Sequence, residues 1–317
     1  MPEAFPFKKQ IVITWKLVRQ TIMDSLDDNI FKLAAALSYY TVFSLPPLLI
    51  IIIRISGLVY GEAAVTGKIF DQLKELTGAE TAMQIQQAIT HFQNSGDSYI
   101  ATLIGIITLL IGATAVFSEI QNSVNQIWKI RTKPRKGIIK MLINRLLSFS
   151  LIITLSFILI VSLAIDGLLL SLSNYLQPHL PEWSLDSLNW INLGMMFFIL
   201  TSLFSIIFKV LPDARIGWGG VISGALVSSL MFMIGRYLIA WYLSINTSVS
   251  AYGAAGSLII LLVWVYYSAV ILYLGAEFSQ VFSLYRGKRI YPNKYAVFIQ
   301  NQTIEARISN IGEEKNT

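Results

Sequence analysis

From Tyr252 to Phe282 the chain reads YGAAGSLIILLVWVYYSAVILYLGAEFSQVF, with no Lys, Arg or Asp and one acid, Glu277, near its end. A run of this length exceeds what an ordinary core helix needs and suffices to cross a hydrocarbon layer about 30 Å thick. In lipid a backbone must satisfy its own hydrogen bonds, so the run reads as a transmembrane helix. Gly253, Ala254, Ala255, Gly256 and Ser257 at its start let neighbouring backbones come close, and Trp264, Tyr266 and Tyr267 form an aromatic centre. Such a helix is made to pack against others, which implies a bundle.

The remaining sequence supplies the other members. Hydrophobic residues make up 55% of the 317 positions and charged residues only 13%, and mean hydropathy is +0.62. Soluble domains carry about twice that charged share. Apolar segments at about Leu33–Tyr60, Tyr99–Ser118, Leu146–Leu172, Trp190–Val210 and Gly217–Ser244 precede the terminal run. The expected fold is all-α: a polytopic membrane bundle of six transmembrane helices, with an amphipathic N-terminal helix and a short helical extracytoplasmic segment. Residues 1–32 form the N-terminal segment, 33–282 the six-span domain with an outer segment at 61–98 and a basic loop at 119–145, and 283–317 a tail.

Charge placement orients this bundle. Of 24 Lys and Arg, twenty fall in residues 1–32, the 119–145 loop, the 209–215 turn and the tail; the alternate connectors hold only Lys68 and Lys74. The positive-inside rule then puts both termini in the cytoplasm of a multi-pass plasma (inner) membrane protein. The net charge of +6 follows from topology and needs no nucleic acid; the bilayer is the expected partner, with anionic headgroups available to the basic loop.

Residues 1–32 lack an apolar core followed by a small-residue cleavage site, so no removable signal peptide is expected. Ile11, Trp15, Val18, Ile22 and Leu26 recur at helical spacing beside Lys8, Lys9, Lys16 and Arg19. Two readings fit this pattern: a helix lying in the membrane surface, or one packed on the cytoplasmic ends of the bundle. Asp27, Asp28 and Asn29 offer a helix start for span one. Within that span Pro46 and Pro47 predict a kink or break near Ser44, because proline lacks the helical donor and displaces the preceding turn. In the outer segment Ile69, Phe70, Leu73 and Leu76 suggest one short amphipathic helix, and about Thr81 to Phe92 a second.

Ionic side chains inside spans are costly and mark candidate sites. Arg54, Asp166 and Arg236 all fall in the outer halves of their spans, where the arginines could receive an anionic group and Asp166 orient one of them. The competing reading is an outward-snorkelling Arg54 beside a static Asp166–Arg236 pair. On span five, Ala225, Ser229, Phe232 and Arg236 share a face, and Gly220 and Gly224 form a close-packing pair. Nearer the cytoplasm, Tyr266, Tyr273 and Glu277 share a face of span six, and Glu119 ends span two; these suit a proton relay or cation site, or pairing with Lys209 or Arg215.

Enzyme templates are missing. Zero cysteines remove disulfides, thiolate metal sites and a Cys nucleophile, and the two histidines, His91 and His179, are far apart. No cofactor, metal or catalytic residue is expected. Asn246-Thr247-Ser248 matches a glycosylation acceptor in a loop too short to use it well.

Three sets of motifs are specific: Ala34-Ala35-Ala36-Leu37-Ser38-Tyr39-Tyr40 running to Ser44-Leu45-Pro46-Pro47-Leu48; Leu211-Pro212-Asp213-Ala214 leading to Gly224-Ala225; and Tyr252-Gly253-Ala254-Ala255-Gly256-Ser257 through Trp264-Val265-Tyr266-Tyr267-Ser268 to Gly275-Ala276-Glu277-Phe278. In this order they resemble the YihY/virulence factor BrkB family of bacterial inner-membrane proteins, over about Phe31 to Phe282. The resemblance implies no established catalytic set. Its members' older label, ribonuclease BN, suits a soluble metal-dependent hydrolase, and two distant histidines do not furnish one. Transport of a small or amphipathic, lipid-like solute is the leading expectation. A scaffold docking an envelope partner through 61–98 or the basic loop is the alternative. Reporter fusions within Lys129–Arg145 should report a cytoplasmic location, and an external signal there would reverse the topology.

Overall fold

The computed structural model describes residues 6–77, 82–83, 85–87, 115–132, 157, 183–245, 254–293 and 296–299. Within them lie helices α1 (Pro6–Asp27), α2 (Ile30–Tyr60), α3 (Glu62–Thr77), α4 (115–127), α5 (Trp183–Val210), α6 (Trp218–Ile245) and α7 (Ala254–Tyr285). Short strands β1 (Ile130–Thr132), β2 (Ala214–Arg215), β3 (Tyr291–Pro292) and β4 (Ala296–Phe298) pair antiparallel as β1 with β4 and β2 with β3. Three helices are long and apolar enough to cross a membrane, over Leu193–Val210, Trp218–Ile239 and Ile259–Tyr285; α2 adds a shorter apolar stretch, Ile30–Leu45. Most of spans two and three, and with them Asp166, His91, His179 and Asn246, lies outside the described residues.

The terminal apolar run forms the central helix. α7 packs against α6, α2 and α1 and touches α3, while α5 lies on the far side of α6. Small residues let α6 and α7 close. A Cβ added at Gly224 would meet the Ser279 Cβ at 2.7 Å as well as the Gly275 carbonyl, and one added at Gly275 would run into Ser228. The Ser279 hydroxyl donates to the Gly220 carbonyl at 2.8 Å, and Tyr267 fills the space beside Gly235 while donating to Met231 O at 3.0 Å. Interhelical hydrogen bonds of this kind need the close backbone approach that glycine permits.

Of the kink or break expected near Ser44, the break is absent: α2 is one continuous helix from Ile30 to Tyr60, through Ser44, Pro46 and Pro47. Membrane helices tolerate proline where neighbours re-satisfy the freed carbonyls, and Ser44 here is buried. The helix starts at Asn29, as the sequence indicated, yet no side chain caps it: Asn29 is left-handed at φ 55°, and Asp28 is used elsewhere. α3 buries Val65 and Ile69 against Ile53 of α2 and Leu261 of α7, as its amphipathic spacing predicts. Ile85, in the short helical piece that follows, joins the same cluster.

α1 is inside out for a soluble protein. One face, with Leu17, Thr21 and Ser25, is buried, whereas Trp15, Ile22 and Leu26 on the opposite face are exposed by 68%, 52% and 58%. An apolar stripe turned away from the protein is stable only against something apolar. The two readings of this segment are therefore not exclusive, since one face packs on α7 and the other is left free.

The four cation-rich segments meet at one end of the bundle. Lys129, after α4, pairs with Asp28, between α1 and α2. Asn125 of α4 bonds Asp213 in the turn after α5, and the Asn293 amide of the tail donates to the Asp213 carbonyl at 2.9 Å. This is the grouping that the charge count predicts. Gly224→Leu should destabilise the purified protein by roughly 1–3 kcal/mol through overpacking. Gly194→Ala, at a position with nothing within 4 Å, should be harmless; thermal unfolding in detergent distinguishes the two.

Candidate functional site

α4 carries polar residues on opposite sides, because a step of two residues turns a helix by about 200°. Gln121 and Asn125 share one side, Glu119 and Ser123 the other. The first side closes on the Leu211-Pro212-Asp213 turn. Asp213, 0% exposed, accepts from Asn125 Nδ2 at 3.0 Å and Gln121 Nε2 at 3.1 Å, and its own amide donates to Asn125 Oδ1 at 2.8 Å. Gln121 also donates to Leu211 O at 2.8 Å. This is a satisfied buried carboxylate, which fixes the turn to α4 rather than offering it to a ligand.

The second side of α4 faces α7. Ser123 donates to Glu119 at 3.4 Å, and the Tyr273 hydroxyl lies beside both, within electrostatic reach, but makes no hydrogen bond of good geometry. One turn on, Glu277 is 1% exposed and its Oε2 has no donor. The Trp128 indole N–H donates to Ala276 O at 3.0 Å and holds the end of α4 against this turn of α7. On α1, the Ser25 hydroxyl is also buried without a partner. Asp24, Asp28 and Lys129 complete the charged surroundings of Glu277.

Lys129 stands at the left-handed end of α4, at φ 55°, which turns the chain so that its ammonium reaches Asp28. Asp28 and Lys129 also line a cleft of about 670 Å³ at the basic end, with Asn29, Asn122, Asn125 and Arg131. The two residues of the ion pair thus line the cleft and also lie within electrostatic reach of Glu277. Among the described residues no group of three or more His, Asp or Glu is placed to hold a metal ion.

Of the residues singled out in the sequence, Glu119 and Tyr273 lie within electrostatic reach of each other, and Glu277 follows one turn later on α7; Tyr266 packs on the hydrophobic core two turns before Tyr273. Lys209 does not pair with Glu277: it donates to Ile216 O at 2.6 Å and sits over Trp218, and Arg215 is exposed. On the shared face of α6, Ala225 and Ser229 are buried and Phe232 stacks on Trp264. Arg236 is half-buried, donating to Met196 Sδ at 2.9 Å with Tyr237 beneath its guanidinium. The Arg54 side chain and all of Asp166 lie outside the described residues. Sequence reasoning missed Ser25, Asp28, Lys129, Gln121, Asn125 and Asp213. The four-residue spacing of the two amides on α4 was the available signal for the last three.

Helices of this length and composition, with polar groups drawn inward, define a polytopic α-helical membrane protein. The family model described as Virulence factor BrkB matches residues 21–296, and the chain belongs to that family. It is similar to UPF0761 membrane proteins: at 29% identity to one from Alkalilimnicola ehrlichii, covering 81% of this chain and 56% of the relative. A second, from Psychromonas ingrahamii, is 28% identical over 84% of this chain and 88% of its own, and one from Verminephrobacter eiseniae is 27% identical over 83% and 61%. The chain therefore spans under two thirds of two of these relatives. No solved structure matches.

Removing the Asp213 carboxylate takes the acceptor from the Asn125 amide and leaves Gln121 only Leu211 O, so Asp213→Ala should cost about 2–3 kcal/mol. Asp213→Asn, which keeps one acceptor oxygen, should cost less. Chemical or thermal unfolding of the two variants checks the order.

Proposed function

We propose that this protein moves a small polar or amphipathic solute across the plasma membrane and is not an enzyme. The observation that carries the reading is the polar cleft lined by the Asp28–Lys129 pair, together with unsatisfied hydroxyl and carboxyl oxygens buried on α1 and α7. A purely structural bundle satisfies its buried polar groups, as Asp213 does. Hydrogen-bonding capacity left open in a membrane interior suits water or a passing solute.

In this reading the cleft is the cytoplasmic entrance, since the positive-inside rule places the basic end there. Arg54, Asp166 and Arg236 belong to the outer half of the route. Arg236 has no carboxylate partner among the described residues, which supports its availability to Asp166 or to an anionic group. The exposed stripe of α1 lies in the inner headgroup layer, with Lys16 and Arg19 beside it.

The test is reconstitution into liposomes with a fluorescent phospholipid in one arm and trapped sodium-, potassium- and pH-sensitive dyes in the other. Protein-dependent movement of at least one probe is expected. Lys129→Met, which removes one partner of the ion pair, should change the rate about tenfold, the equivalent of roughly 1.4 kcal/mol in barrier height. If no probe moves with the folded protein, the transport reading fails and the scaffold alternative takes its place.

A further inference from the structure

We propose that Glu277 is a binding site for one small monovalent cation, a proton or an alkali-metal ion, reached from the cleft at Asp28 and Lys129. The consequence, coupling of that ion to solute movement, rests on the transport reading; the binding itself does not. Glu277 lies eight residues before the last residue of α7, about 12 Å along the axis. It is 1% exposed, and one of its carboxyl oxygens has no donor. An uncompensated carboxylate in such a place is expensive, so a positive charge must accompany it.

The described cations do not supply that charge. Lys129, the closest in electrostatic terms, is committed to Asp28. Lys209 is bound to the Ile216 carbonyl and Arg215 is exposed. The other groups facing Glu277 add negative charge: Asp24 of α1, which accepts from Gln20 at 2.7 Å, and Asp28 itself. Glu119 of α4 stands one turn away, beside Tyr273.

Spare oxygen capacity lies on the same two helices. The Tyr273 hydroxyl, one turn earlier on α7, and the Ser25 hydroxyl of α1, next in sequence to Asp24, are both buried without a hydrogen bond of good geometry. Such hard oxygen donors suit a proton or an alkali ion and not a soft metal. The absence, among the described residues, of a third acid or histidine placed to share an ion fits a single charge better than a divalent one. Lys129 then acts as the competitor. It is held by Asp28 while the cation is bound, and its ammonium can replace the cation when that pair opens.

Infrared difference spectroscopy of the full chain in lipid nanodiscs tests this directly. One arm titrates sodium or potassium chloride against choline chloride at fixed pH; the other steps the pH in choline alone. A saturable change in a carboxyl band that disappears in Glu277→Gln is expected in one arm, and the arm identifies the ion. Should Glu277→Gln not fold, Glu277→Asp with carbon-13 labelled glutamate removes the same band. Asp28→Asn, which frees Lys129, should weaken cation binding about tenfold or more. Identical difference spectra for wild type and Glu277→Gln in both arms would overturn the site. A Glu277-dependent band without solute flux would sink the transport reading alone, and flux without the band would sink this proposal alone.

Discussion

The fold depends on α7 having two different faces. Gly275, Ser279 and Ser283 lie along one of them, and their lack of bulk brings α6 close enough for side-chain hydroxyls to bond the facing backbone. Tyr273 and Glu277, two residues to either side of Gly275, are turned about 200° away and meet α4, α1 and the α1–α2 junction. A single apolar helix thus provides a tight dry contact on one flank and a polar one on the other. Lipid cannot satisfy the polar flank, so it is buried in protein.

Two carboxylates at the same end of the bundle show how that polar flank divides between structure and chemistry. Asp213 is enclosed by two side-chain amides and ties the turn after α5 to α4 and to the tail. Glu277 is buried to the same degree and lacks an equivalent set of donors. Burial is therefore not what distinguishes them. The distinction lies in the donors: side-chain amides of α4 reach the Asp213 carboxylate, and none reaches Glu277 Oε2.

Much of the architecture was legible because hydropathy and basic charge act over whole segments. The long apolar runs, the central position of the last one and the meeting of the cation-rich connectors follow from transfer free energies alone. The candidate site was legible only in part. Tyr273 and Glu277 stood out as polar residues on one face of a span, but Lys129 was only one cation of a basic connector, and only the fold brings it within electrostatic reach of Glu277. At Pro46–Pro47 the sequence left a kink or a break open, and the helix continues through the pair. Asp28, expected to start a helix, found a stronger partner in Lys129 about a hundred residues further along.

The sequence has no cysteine, so one introduced thiol reports on one position. The central claim, that Glu277 is turned into the protein and not toward lipid or bulk water, is tested by the rate at which Glu277→Cys reacts with a bulky maleimide in native membranes. Leu284→Cys, at a position 54% exposed on the same helix, sets the scale. The account predicts that position 277 reacts at least about tenfold more slowly, a difference of about 1.4 kcal/mol in barrier height. Equal rates at the two positions would contradict it.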